Sequence, residues 1–140
     1  MINAPVTQVW KALTNADIVK KYFFGNEVFS EWNVGNSIMF KGDIDGEAYL
    51  GRGIILNRVP YKLFRFSYWS SLSGVENKSE NYLHVTYHLS EEGDDYTELI
   101  TTVDRIHDEN MKEQLDKNLD KVLTNLKRVV EQETSEAVFG

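Results

Sequence analysis

Apolar positions along this chain change period twice, from helical to alternating and back to helical. Near the start, Val6, Val9, Trp10 and Leu13 recur at three- and four-residue steps, which predicts a helix with one apolar face. Pro5 falls in its first turn, where a missing N–H costs no intrahelical bond. Asn15-Ala16-Asp17 reads as a turn and cap, and Ile18, Val19, Tyr22 and Phe23 predict a second short helix that stops before Gly25. The alternating period follows, with strands expected at 28–32, 37–41, 48–57, 63–69, 83–89 and 96–106. Turn-rich segments at 33–36, 42–47, 59–62 and 90–95 separate them, and the polar, glycine-bearing stretch 70–80 reads as a mobile loop. From about residue 108 the helical period returns as a stripe of Met111, Leu115, Leu119, Val122, Leu123, Leu126, Val129 and Val130. No stripe continues past Glu133, so 133–140 is expected as a frayed tail.

Segregated helices and hairpin-linked strands define an α+β fold. A long helix with a single stripe is covered most economically by a strongly curved sheet, which is a helix-grip arrangement. With 140 residues, the chain is read as one domain over 1–132.

Charge and composition then narrow the function. A formal net charge of −7 argues against electrostatically driven binding to nucleic acid or anionic lipid. No apolar run approaches the roughly 20 residues of a membrane span, so no membrane partner is expected. Zero cysteines exclude disulfides, thiolate metal sites and a cysteine nucleophile. With no signal-peptide pattern, the expected location is cytoplasmic.

Three histidines are the first candidates for acid–base or metal chemistry. His84 and His88 share a strand face but stand roughly 13 Å apart, too far to chelate one ion, and they sit on the polar parity. His107, near a strand-to-helix junction, reads the same way. Asp43-Ile44-Asp45-Gly46-Glu47 resembles the opening of a calcium loop, yet Ile54 stands where its final glutamate belongs, so a hairpin turn is expected. Gly51-Arg52-Gly53 lacks the lysine and helix of a phosphate loop. No cofactor, metal site or catalytic constellation is therefore expected.

One run of residues carries a family resemblance. Ile2-Asn3-Ala4-Pro5-Val6 with Val9-Trp10-Lys11-Ala12-Leu13-Thr14, then Tyr22-Phe23, Val34-Gly35, Gly53-Ile54-Ile55-Leu56, Pro60 with Leu63, and Val85-Thr86-Tyr87-His88-Leu89 followed by Glu91-Glu92-Gly93 and Thr97, is similar to the START-like, or Bet v 1-like, polyketide cyclase superfamily. Within it the chain resembles the branch named for the C-terminal domain of the activator of Hsp90 ATPase. The resemblance implies a six- to seven-stranded curved antiparallel sheet wrapped around the C-terminal helix, with a ligand cavity between them. Two departures stand out. Only Met1 to Asn3 precede the Ala-Pro-Val motif, where members carry a full strand, and Leu119 occupies the place of an aromatic in the final helix.

The leading functional expectation is binding of a small apolar or amphipathic ligand in that cavity. The cavity candidates are Trp32, Phe40, Tyr49, Phe64, Arg65, Phe66, Tyr68 and Tyr87, with Met111, Leu115, Leu119 and Leu123 from the helix. Arg65 remains open at this point. The family pattern aims its parity at the cavity, whereas the chain's own alternation buries Phe64, Phe66 and Tyr68 instead. The alternatives are a stress-linked or co-chaperone-like interaction module with a protein partner, and, more weakly, a cyclase- or hydrolase-like enzyme. A short first strand would leave a sheet edge open, so a homodimer through that edge is expected.

Overall fold

The computed structural model describes residues 2–23, 25–44, 46–71, 76–78, 81–105 and 109–139; the side chains at 44, 109–111, 114–115 and 133–139 lie outside that description. Much of the expected loop at 70–80, and His107, therefore fall outside the described residues. Helices α1 (Val6–Thr14) and α2 (Ala16–Tyr22) come first. Six strands follow, β1 (Glu27–Ser30), β2 (Ser37–Ile44), β3 (Glu47–Val59), β4 (Leu63–Ser70), β5 (Leu83–Glu91) and β6 (Thr97–Asp104), and then the long helix α3 (Glu109–Phe139). Each strand pairs antiparallel with the next, in the order β1-β2-β3-β4-β5-β6, and the sheet is curved. This is the α+β helix-grip architecture that the periodicity predicts.

Local chemistry sets the element ends. Asn15 caps α2, its side-chain oxygen accepting from the N–H groups of Asp17 and Ile18 at 3.0 and 3.3 Å. Pro5 sits at the N-cap of α1 with extended backbone, one position ahead of the expected first turn. Strand β1 stops at Ser30, two residues short of the expectation, because Trp32 takes a left-handed φ of 63° that no strand accommodates. Strands β2 and β3 instead run through much of the expected 42–47 turn and meet at Ile44↔Glu47. Residues 133–139, expected as a tail, have helical backbone within α3.

The concave side of the sheet is the apolar one. Burial alternates along the strands, so that Phe64, Phe66 and Val85 point into the interior while Arg52 and His88 point to the convex side. Helix α3 supplies Val122, Leu126, Val129 and Val130 to the same core, and α1 supplies Val9, Trp10 and Leu13. Burying one such aliphatic or aromatic side chain contributes about 1.5–3 kcal/mol, which is what holds the helix in the curve of the sheet.

The N-terminal residues lie on the outer side of β6. Ile2 exchanges two backbone hydrogen bonds with Thr97, at 2.8 and 2.9 Å, and the Thr97 hydroxyl donates to the Ala4 carbonyl at 2.8 Å. The Asn3 N–H donates to Glu131 Oε1 at 2.8 Å, tying this start to α3. Desolvation works against the charged form of Glu131, yet the Asn3 N–H and Lys127 together hold its carboxyl below the ordinary carboxylate range. One rung of first-strand pairing thus stands where the resemblance implies a full strand.

Candidate functional site

The interior face is built around Phe66. Its ring lies 6.1 Å from Phe40, 5.7 Å from Phe64, 6.3 Å from Tyr68 and 6.2 Å from Tyr87, which draws side chains of β2, β4 and β5 into one aromatic surface. Period-two alternation puts them there, since Phe64, Phe66 and Tyr68 share a parity and Phe64 pairs in register with Tyr87. Tyr49 comes from β3, and its hydroxyl hydrogen-bonds the Tyr68 hydroxyl. Gly51 makes that contact possible, because a Cβ there would collide with the Tyr49 hydroxyl and the Tyr68 ring.

Four phenols on or against this face are held neutral. Burial pushes the Tyr49 hydroxyl well above its ordinary value, reinforced by Tyr68 beside it. Burial also pushes Tyr68 up to about 12, with hydrogen bonds from Tyr49 and Ser70 pulling the other way, and Tyr87 up to about 12 with help from Tyr68. Tyr22 of α2 is raised by burial and by Tyr87, and its hydroxyl donates to the Ala12 carbonyl at 2.8 Å. None of these groups is poised to exchange a proton near neutrality, so the surface suits hydrogen bonding better than acid–base chemistry.

The expected cavity residues separate into groups. Phe40, Tyr49, Phe64 and Phe66 are buried on the concave face, with Tyr68 and Tyr87 half-buried beside them. Trp32 reaches the same face from the turn after β1, its ring 6.2 Å from Phe64. Leu123 packs against the core and Leu119 is half-buried, whereas the side chains of Met111 and Leu115 lie outside the described residues. Arg65 does not join them. It pairs in register with Thr86 on the convex side, and its Nε donates to Thr86 Oγ1 at 2.9 Å. The chain's own alternation, rather than the family pattern, places it.

Three polar residues on the concave side were not singled out by the sequence. Tyr22 was legible as part of an apolar helix face and of the family resemblance, not as a polar group. Thr101 shares the parity of Leu99 and Val103, and its buried Oγ1 has no hydrogen-bond partner. Asn26, just after Gly25 and between the second expected helix and the first expected strand, drew no reading, yet it is buried with neither side-chain amide atom partnered. Its available signal was Gly42, a glycine inside a strand, which marks a close approach. Among the described residues no group of three or more His, Cys, Asp or Glu is arranged to hold a metal ion, and no helix is long and apolar enough to cross a membrane.

A curved antiparallel sheet gripping a C-terminal helix over an aromatic concave face is the START-like fold. The family model for activator of Hsp90 ATPase homolog 1-like protein matches residues 3–131, and the chain belongs to this family. Among solved structures, a protein from Cytophaga hutchinsonii is 35% identical, with a TM-score of 0.77 over 96% of this chain and 91% of that one. The Aha1 dimer from Colwellia psychrerythraea is 18% identical, with a TM-score of 0.72 over 93% of this chain and 90% of that one. DynU16, from the dynemicin biosynthetic locus, has the same fold at 18% identity and a TM-score of 0.74; the match covers 95% of this chain and 45% of that one. No curated protein matches in sequence.

Proposed function

We propose that the chain binds a small amphipathic molecule between the concave face of the sheet and α3. The observation that carries this reading is the set of phenol hydroxyls of Tyr49, Tyr68 and Tyr87 among the phenylalanine rings of that face. An aromatic surface with a few convergent polar tips is the usual lining of a small-molecule site, the rings providing contact area and the hydroxyls orientation. Non-denaturing mass spectrometry of the protein incubated with 1-decanol is expected to give a one-to-one adduct. Its absence at saturating probe counts against the reading.

A second reading, association with a protein partner, has its own observation. In an antiparallel strand the N–H and C=O of alternate residues point to the same side. Thr97 turns both toward Ile2, so Leu99, Thr101 and Val103 turn theirs to the same outer side, where β6 meets no further strand among the described residues. Such an edge is a template for pairing. The Colwellia relative is described as a dimer, and a second copy joined through β6 is the partner we favour here, ahead of a chaperone-type client. Light scattering is expected to show a dimer that Val103→Pro shifts to monomer, since that change removes an outward donor and leaves the β5 ladder intact. A monomer at high concentration would contradict it.

A further inference from the structure

Asn26, immediately before β1, is 1% exposed, and neither its Oδ1 nor its Nδ2 has a hydrogen-bond partner. A buried amide left unsatisfied at both ends is a standing cost that a fold rarely carries without reason. Extending the Glu27↔Lys41 ladder by one residue sets Asn26 opposite Gly42, which itself pairs with Tyr49. A Cβ at Gly42 would collide with the Asn26 amide, so glycine is what lets that amide lie on the concave face. The amide and Tyr49 therefore flank Gly42 on the same face, with β2 between them, and the Tyr49 hydroxyl bonds that of Tyr68. The only other unpartnered buried side-chain atom among the described residues is Thr101 Oγ1, on the same face opposite Tyr87.

Among the described residues the interior also lacks charge. Apart from the phenols of Tyr22 and Tyr49, which burial keeps neutral, the buried polar side chains among the described residues are Asn26, Ser67, Thr86 and Thr97, none of them ionisable. Among the described residues a carboxylate head group would meet no buried cation and an ammonium no buried anion, and either would enter at the full cost of its desolvation. A neutral group carrying a donor beside an acceptor would satisfy both ends of the Asn26 amide at once.

We infer that Asn26 reads the head group of the bound molecule, and that this head group is uncharged and of the amide or lactam type, seated beside Tyr49. The inference rests on the concave face being the ligand site. Phe23 borders the same place, its ring 5.1 Å from Phe40 and 6.2 Å from Tyr49. It is only partly buried.

The test uses the whole chain and three probes with one ten-carbon tail: decanamide, decanoate and decylamine, titrated calorimetrically at neutral pH. Decanamide is expected to bind about tenfold more tightly than either charged probe, the worth of two additional hydrogen bonds. Asn26→Leu is expected to erase that preference while leaving decanoate within about twofold. The unliganded variant should melt no lower than the parent, because the substitution removes an unpartnered group. Equal binding of the three probes, or a preference that survives Asn26→Leu, overturns the inference and leaves the ligand reading standing; the amide then holds buried water only. A lowered melting temperature in both Asn26→Leu and Asn26→Ala makes the amide structural and also overturns it. Failure of all three probes to bind overturns both readings together.

Discussion

Phe64→Ala is expected to destabilise the protein by about 3–5 kcal/mol, whereas Arg65→Ala, its immediate neighbour, costs about 1 kcal/mol. Phe64 is 1% exposed, and its ring meets Trp10 and Trp32 at 6.2 Å each and Phe66 at 5.7 Å. Removing it opens a cavity where α1, the turn after β1 and β4 converge, and neighbours fixed on three elements cannot collapse into it. Arg65 points the other way. Its loss removes one hydrogen bond to Thr86, whose hydroxyl water can then reach. Urea unfolding measures both changes as midpoint shifts at constant slope. Similar costs for the two variants would mean that the strand parity, and with it the assignment of the concave face, is wrong.

Alkaline unfolding between about pH 10 and 12 is the second large effect. Tyr22, Tyr49, Tyr68 and Tyr87 all have folded pKa values raised by burial above the ordinary phenol value. Below the ordinary value near 10, folded and unfolded chains both keep these protons and stability is complete. As pH rises further the unfolded chain releases them while the folded chain holds them, so stability drains away through the folded values, about 12 for Tyr68 and Tyr87. Those two alone remove about 2 kcal/mol each by that point, a large share of an ordinary domain's stability. The sequence holds 7 tyrosines, so at most 7 − 4 = 3 phenolates should form, by ultraviolet absorbance, before circular dichroism reports unfolding. Five or more in the native state would contradict the burial of this cluster.

Much of the architecture was legible because periodicity is a direct consequence of burial on one face. The 3.6-residue stripe of α3 and the alternation of Phe64, Phe66 and Tyr68 placed their elements and their inward side without help. Strand ends were less legible. Trp32 looks like a good strand residue, and only its left-handed backbone takes it out of β1. Gly42-Asp43-Ile44 looks like a turn, yet Gly42 is a strand position emptied to admit Asn26. The aromatic side chains of the concave face, tyrosines included, could be named from the sequence, but Asn26 and Thr101 among them could not. Asn26 and Thr101 are ordinary turn and strand residues by type, and what distinguishes them is the missing partner, which exists only in three dimensions. For Arg65 two sequence arguments conflicted. The chain's own alternation gives the observed side, and it agrees with the cost that an unpaired buried guanidinium would carry.

The central claim is that the face carrying Phe40, Phe66, Tyr68 and Tyr87 receives a small amphipathic molecule. Intermolecular nuclear Overhauser effects between 1-decanol and isotope-labelled protein test it most directly. The expected result is a set of cross-peaks from the alkyl chain to those four rings. Cross-peaks confined to outward-facing apolar side chains such as Phe29, Ile54 and Ile100, each 49% exposed, would contradict it.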